Sequence, residues 1–300
     1  MTGAFRTGFV AVVGRPNVGK STLVNRLIGQ KVSITSAKAQ TTRHLVRGIF
    51  TSPTHQYVFV DTPGYQTKHN SALNRVMNRN VTQALAGVDV VLFVVEAARF
   101  GEADRVLLQL LPRTRPVVLA INKIDSLKRK DELLPFIDRL SREYEFAAIV
   151  PVSATAGDGI DDLLRVAGDH LPEAPPLFDA EAITDRSERF LAAEFLREKL
   201  FRRLGAELPY GLTVEIERFE EASGAQGTLR HIHAAVIVER PSQKAIVIGK
   251  GGAQLKTIAS EARRDMETLF GGKVFLEVWV KVRSGWTESE ATIRGLDEAS

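Results

Sequence analysis

Eight consecutive residues, Gly14-Arg15-Pro16-Asn17-Val18-Gly19-Lys20-Ser21, restrict this chain more than any other stretch. They fit G-x-x-x-x-G-K-[ST], a loop whose backbone amides cradle phosphate oxygens. The run Phe9-Val10-Ala11-Val12-Val13 ahead of it has the continuous apolar character of a buried strand. Behind it, Ser21-Thr22-Leu23-Val24-Asn25-Arg26-Leu27-Ile28 carries apolar residues at helical spacing. A strand, a tight glycine turn and a helix N-terminus together make an anion site, because unpaired amides and the positive end of the helix dipole converge there. Gly14 and Gly19 let the backbone turn tightly and approach phosphate with no Cβ in the way. The amides of Val18, Gly19, Lys20 and Ser21 are expected to face the β-phosphate, and Thr22 is counted with the nucleotide-contacting residues. Lys20 supplies a point charge to the β- and γ-phosphates, and the Ser21 hydroxyl is a magnesium ligand.

A chain of 300 residues has room for about two domains, each with its own core. There is no cysteine, which excludes disulfides and cysteine-ligated zinc or iron–sulfur centres. Met1 is followed by neither the charged start nor the apolar core of a secretory signal, and no apolar run approaches the ~20 residues of a spanning helix. A cytoplasmic protein without a transmembrane segment is expected. The net charge is +4, and from Arg186 onward 18 basic side chains face 17 acidic ones. Any nucleic-acid surface must therefore be a local patch rather than a global field.

Up to about Leu171, short apolar strands alternate with helical patterns. Val46 to Thr51 and Tyr57 to Asp61 are strand candidates joined by the turn Ser52-Pro53-Thr54-His55. Val90–Val95, Val117–Ile121 and Ala148–Val152 are near-continuous apolar runs, suited to strands covered on both faces. Helical patterns lie near 72–86, 102–111, 131–144 and 159–171. This predicts an α/β fold with a doubly wound, mainly parallel sheet over residues 1–171. Leu171-Pro172-Glu173-Ala174-Pro175-Pro176 opens a stiff Pro-rich linker, assigned to 172–185. Beyond it the order changes to a helix near 187–204, strands near 211–219 and 231–239, a short apolar segment at 242–248, a glycine loop, a helix near 253–270 and a strand at 273–282.

Three further signals follow predicted strands of the first domain. Asp61-Thr62-Pro63-Gly64 ends one strand, placing Asp61 to hold the metal and the Gly64 amide to meet a γ-phosphate. Asn122-Lys123-Ile124-Asp125 ends another. The Asp125 carboxylate can accept from both N1–H and the exocyclic amine of guanine, a donor pair that adenine lacks. Asn122 would buttress the loop or meet N7, and the Lys123 stem can cover the base face. Ser153-Ala154 follows the last strand, with the Ala154 amide placed to read guanine O6. In open α/β sheets ligands bind at these C-terminal strand ends. The four signals in this order resemble the boxes of the GTPase superfamily, which implies a fifth between Gly29 and Leu45. Ala39-Gln40-Thr41-Thr42-Arg43-His44 fills it, and Thr42, with Thr41 as the competing choice, would reach magnesium only when a γ-phosphate is present. Where Ras-like enzymes carry a water-orienting Gln, this chain has Tyr65, so intrinsic hydrolysis on the order of 10⁻⁴–10⁻² s⁻¹ is expected. Asn17 resembles the residue of GTPases that recruit a monovalent cation, potassium, beside the phosphates; satisfying loop amides is its alternative role. Lys20, Thr42, Gly64 and Asn17 are the candidate catalytic set, and Ser21, Thr42 and Asp61 the candidate metal ligands.

In the second domain Ile246-Val247-Ile248-Gly249-Lys250-Gly251-Gly252-Ala253-Gln254-Leu255-Lys256 contains G-x-x-G before a helix. Such a loop can clamp a nucleic-acid backbone, with Lys250 and Lys256 adding charge. Lys244, Arg263 and Arg264 lie nearby in sequence. Ile246 and Ile248 are candidates for the base groove, with core packing as the alternative. The element order α-β-β-α-α-β resembles a type II KH fold, which grips about four single-stranded nucleotides.

With Ile183-Thr184-Asp185-Arg186-Ser187, Glu207-Leu208-Pro209-Tyr210 and Leu276-Glu277-Val278-Trp279-Val280-Lys281-Val282 added, the chain from about Thr7 to Trp286 resembles the Era family of bacterial ribosome-assembly GTPases. The resemblance implies a G domain over 1–171, the linker 172–185 and a type II KH domain over 186–286, while the polar tail 287–300 is assigned nothing. It also implies GTP and GDP as ligands with Mg2+, a GTP-hydrolysing switch, binding to the 3′ end of 16S rRNA, and assistance to 30S subunit assembly by a monomer. The family is described as peripheral to the inner membrane, although no apolar anchor in the chain suggests this. Two other readings stay open: a passive RNA-binding adaptor, which the intact Lys20, Ser21, Asp61 and Asp125 disfavour, and a membrane-linked cell-cycle switch.

Overall fold

Along Val90–Glu96 every residue but the last is buried, and the side chains alternate between two apolar layers: Val90, Leu92 and Val94 enter one, Val91, Phe93 and Val95 the other. A strand of this kind is stable only with helices on both faces. The structure, a computed structural model, describes residues 4–36, 38, 40–66, 72–205, 211–224 and 227–285. Ala39 of the switch candidate, the Glu207–Tyr210 motif, Trp286 and the tail 287–300 lie outside these residues.

The described residues form two compact bodies. One holds residues up to Ser33, 42–66 and 74–185; the other holds 186–285 together with 34–41 and the first two residues of α2. The first contains β1 (Arg6–Val13), α1 (Lys20–Ile28), β2 (Val46–Thr51), β3 (His55–Asp61), α2 (Ala72–Ala86), β4 (Val90–Glu96), α3 (Glu102–Gln109), β5 (Val117–Asn122), α4 (Leu133–Ser141), β6 (Ala148–Pro151) and α5 (Ile160–Asp169). The strands form one sheet in the order β2-β3-β1-β4-β5-β6. Pairing is parallel except between β2 and β3, whose short turn allows only an antiparallel hairpin. Helices α1 and α5 cover one face, and α2, α3 and α4 the other. This is the doubly wound arrangement that places loops 14–19, 61–66, 122–125 and 153–154 at the C-terminal ends of β1, β3, β5 and β6.

The Pro-rich stretch is not a free tether. Thr7 donates its amide to Pro172 at 3.0 Å, Ala174 donates to Phe5 at 3.1 Å, and Ile49 donates to Ile183 at 2.8 Å. The Thr184 hydroxyl reaches the Arg47 carbonyl at 2.6 Å, and Arg47 pairs with Asp185 at 2.8 Å. Gln56, fully buried, accepts from the Leu177 and Phe178 amides at 2.7 and 3.0 Å and donates to the Phe178 carbonyl at 2.8 Å. The stretch thus belongs to the first body, and the change of body falls between Asp185 and Arg186.

The second body contains α6 (Glu188–Arg203), β7 (Leu212–Gly224), β8 (Gly227–Val238), α7 (Pro241–Ile248), α8 (Ala253–Phe270) and β9 (Lys273–Val282). Its sheet runs β7-β8-β9, with β7 and β8 antiparallel and β8 and β9 parallel. Ile258, Ala262, Met266 and Phe270, spaced four apart on α8, bury one stripe of that helix. Residues 241–248 are helical, as the order α-β-β-α-α-β requires of the short apolar segment at 242–248. Pro241 opens that helix, and Gly249, with φ of 71°, closes it.

Gln56→Ala leaves two linker amides and one carbonyl without their buried partner. It should lower stability by about 2 kcal/mol and raise hydrogen exchange at Leu177 and Phe178 above that of β4. Unchanged exchange at those two amides would show that the linker is held without Gln56.

Candidate functional site

The loop after β1 is shaped by close approaches that only glycine allows. A Cβ on Gly14 would lie 2.4 Å from the Val94 carbonyl oxygen, and Gly19 has a φ of 96° at the start of α1. A Cβ on Gly64 would lie 2.8 Å from Pro16 Cα, so the loop after β3 rests directly on this turn, behind Thr62 and Pro63. The Thr62 hydroxyl donates to the Val12 carbonyl at 2.8 Å. Lys20 is 6% exposed, and its Nζ donates to the Gly14 and Arg15 carbonyls at 3.0 and 3.1 Å. Burial pushes Lys20 down to about 8, with the Asp61 carboxylate pulling the other way.

Ser21 and Thr42 bring their hydroxyl oxygens to 2.9 Å of each other. Asp61 is fully buried, and among the described residues neither of its carboxylate oxygens finds a hydrogen-bond partner. Burial raises its pKa, and Lys20 together with the neighbouring Ser21 and Ser33 hydroxyls opposes the rise. Two hydroxyls and an unbonded buried carboxylate form an all-oxygen donor set of the kind Mg2+ takes. The chain therefore fits the ion, and Ser21, Thr42 and Asp61 are the residues that would hold it. Thr41 is turned the other way: its hydroxyl donates to the Lys38 carbonyl at 2.7 Å, and its carbonyl accepts from Arg197 at 2.5 Å.

Asn122 ends β5 and is 2% exposed. Its Nδ2 donates to the Val18 carbonyl at 2.9 Å, and its Oδ1 accepts from the Lys123 and Ala154 amides at 2.8 and 3.0 Å. Asn122 thus buttresses the loops. The Ala154 amide, expected to face a base oxygen, is engaged by Asn122 here. Ser153 donates its hydroxyl to Asp125 Oδ1 at 2.6 Å and so orients the carboxylate. Nothing in the dipeptide Ser153-Ala154 signals this part for Ser153. Lys123, with φ of 66°, sends its Nζ to the Asn17 carbonyl at 2.7 Å. The Asn17 side chain is exposed and bonds no loop amide among the described residues. Arg15 extends to α3, where Asp104 lies 3.3 Å away.

In the second body Gly249, Gly251 and Gly252 have φ of 71°, 57° and 76°, and a single turn over Lys250–Gly252 separates α7 from α8. Beside this turn is a groove of about 360 Å³ lined by Gly252, Leu255, Lys256, Arg263, Leu276 and Val278 among others. Lys250, within the turn, is exposed. Neither Ile246 nor Ile248 lines the groove. Residues 241–248 are a helix, which buries Val247 and leaves Ile246 54% exposed. The groove floor comes from β9, and Arg263 follows Lys256 by two helical turns, a spacing that could have been found from α8 alone.

Residues 9–123 match a family described as 50S ribosome-binding GTPase, and residues 207–287 match the KH domain. The chain is 55% identical over 292 residues to GTPase Era of Nitrosomonas eutropha, covering 97% of each chain. It is 58% identical over 296 residues to GTPase Era of Neisseria meningitidis serogroup C, covering 98% of this chain and 95% of that one. Among solved structures, a crystal structure of Era in complex with MgGDPNP and nucleotides 1506–1542 of 16S ribosomal RNA superposes with a TM-score of 0.92. It is 38% identical and covers 99% of this chain and 100% of that one.

The depressed Lys20 gives a pH dependence with a definite sign. Above about 8 the ligand-free lysine loses its proton, and phosphate must restore it, so affinity falls as pH rises. GDP should bind about fourfold more weakly at pH 8.5 than at pH 7, and calorimetry in two buffers should register proton uptake. Lys20→Arg, whose guanidinium stays charged, should lose this dependence. A wild-type affinity that is flat over the interval would refute it.

Proposed function

From the premise that this chain belongs to the Era family of GTPases, we propose that it is a slow GTP-hydrolysing switch whose second domain holds the 3′ end of 16S rRNA during 30S subunit assembly. The observation that carries the nucleotide half is the meeting of the Ser21 and Thr42 hydroxyls at 2.9 Å beside the buried Asp61 carboxylate. These three residues would hold Mg2+, which when bound neutralises charge on the phosphates. Gly14 to Thr22 would wrap the phosphate tail, with Lys20 recharged on contact. The amide of Gly64 would meet the γ-phosphate, with Asp61, Thr62 and Pro63 setting its approach. Asp125, oriented by Ser153, would select guanine, while Asn122 and Ala154 hold that loop to the phosphate loop and the Lys123 stem covers the base.

Tyr65 stands where an amide would orient water, which favours slow hydrolysis in the absence of a partner. Asn17 presents an exposed side chain on the phosphate loop, where a potassium ion would add positive charge beside the transferred group. Single-turnover hydrolysis should then run at least about tenfold faster in potassium than in sodium buffer. Equal rates would remove the cation from the account.

The rRNA half is supported by the glycine turn, by the groove beside it with Lys256 and Arg263 on its wall, and by the RNA held in the Era complex described above. Gly249, Lys250, Gly251 and Gly252 would clamp the backbone. Gly251 has open space around its Cβ position, and aspartate tolerates a positive φ better than most residues, so Gly251→Asp should fold. It places a carboxylate against phosphate. Cross-linking and sequencing of RNA bound to the GTP-loaded protein should recover the 16S 3′ end with the wild type and lose it with Gly251→Asp, while GDP affinity stays the same. Retained cross-links in the variant would overturn the clamp, and recovery of unrelated RNA would overturn the assignment to rRNA.

A further inference from the structure

Glu96 ends β4, and none of the phosphate or base motifs includes it. Its side chain is 14% exposed and lies among three cations. Oε2 accepts from Lys123 Nζ at 3.1 Å and lies 3.5 Å from Arg15, while Oε1 lies 3.0 Å from Arg99. The three contacts are unequal. Arg99 is 72% exposed, so solvent screens it. Arg15 has a second carboxylate in Asp104 at 3.3 Å. Among the described residues Lys123 has Glu96 as its one carboxylate, and its other bond goes to the Asn17 carbonyl. The Lys123 backbone is held in the left-handed region, its amide tied to Asn122 Oδ1. The side chain therefore leaves the base-reading loop in a fixed direction and bridges to the phosphate loop.

We propose that Glu96 is a positioning residue for guanine nucleotide: its carboxylate pins Lys123 Nζ onto the Asn17 carbonyl, so that the lysine stem lies in place as a wall of the base site before the nucleotide arrives. A long flexible lysine otherwise loses its rotamer freedom on binding, and ordering it in advance removes that cost. The same carboxylate neutralises Lys123 at a point where a free ammonium would turn to water. The sign of the effect separates this role from a general field effect. A carboxylate near a phosphate loop repels an anionic ligand, so removing it should tighten binding if charge alone mattered; loss of positioning weakens it.

The inference rests on the guanine reading of residues 122–125, and the two can fail separately. The experiment measures dissociation of a fluorescent GDP from the full-length chain, with GDP-over-ADP preference recorded for the wild type. Glu96→Ala should release GDP about tenfold faster, while single-turnover hydrolysis of GTP already bound changes by less than about twofold. Glu96→Gln keeps an oxygen for Nζ and should fall between wild type and Glu96→Ala. In a Lys123→Met background, Glu96→Ala should add nothing, because residues that act through one another are not additive. Unchanged or slower release from Glu96→Ala, or effects that multiply in the double variant, would overturn the proposal. If Glu96→Ala does not fold, Glu96→Gln against Lys123→Met carries the same comparison. A wild type without guanine preference would instead sink the reading on which the inference stands.

Discussion

A buried amide at the end of β5 engages both of its ends with three loops. Asn122 donates to the carbonyl of Val18 and accepts from the amides of Lys123 and Ala154. Each of these groups would otherwise be a polar atom inside an apolar sheet end, and an unpaired one costs about 1–3 kcal/mol. The bond to Val18 fixes the phosphate loop just before it enters α1. The bonds to Lys123 and Ala154 fix where a base would meet Asp125. Gly19 has a matching constraint from the other side, since a Cβ there would lie 2.4 Å from Asn122 Nδ2. The asparagine and the glycine accommodate each other, and the spacing of base and phosphate sites follows from that fit.

The first body was legible in the sequence because its signals are local. A run such as Val90–Val95 can satisfy itself only between two helical layers, and a glycine turn between strand and helix announces its own geometry. What could not be read were pairings between loops distant in sequence. Ser153 and Ala154 are an ordinary dipeptide until Asp125 and Asn122 are seen to bond them. Residues 245–248 are apolar enough for a strand, and the signals that make them helical lie outside them, at Pro241 and Gly249. The same helix leaves Ile246 exposed, because Val247 takes the buried side. The linker prolines suggest stiffness, and nothing in them foretells that Gln56 holds the residues after them.

Helix α6 shows the limit of periodicity. Phe190, Leu191, Phe195, Leu196, Leu200 and Phe201 make an apolar face, and Glu194, Arg197, Glu198 and Lys199 look like its solvated back. All four of these charged residues are buried. Arg197 pairs with Glu194 at 2.7 Å and donates to the Thr41 carbonyl, while Glu198 accepts from the Thr35 amide at 2.9 Å and from Lys199 at 3.0 Å. The segment that supplies Thr35 and Thr41 groups with α6. Buried charges are tolerated when each has its partner and are costly when one is withdrawn. The four charges on α6 therefore specify which backbone lies on them more than they add to stability.

The residues between Pro172 and Asp185 have one more effect. A β-sheet margin carries a row of unused amides and carbonyls, and an identical chain can add to it, strand upon strand. In the first body one such margin, β2, has the Ile183 carbonyl and the Thr184 hydroxyl laid along it, and the other, β6, is four residues long. The proline-bearing segment is thus a guard strip: along β2 it occupies positions through which one copy could template on the next.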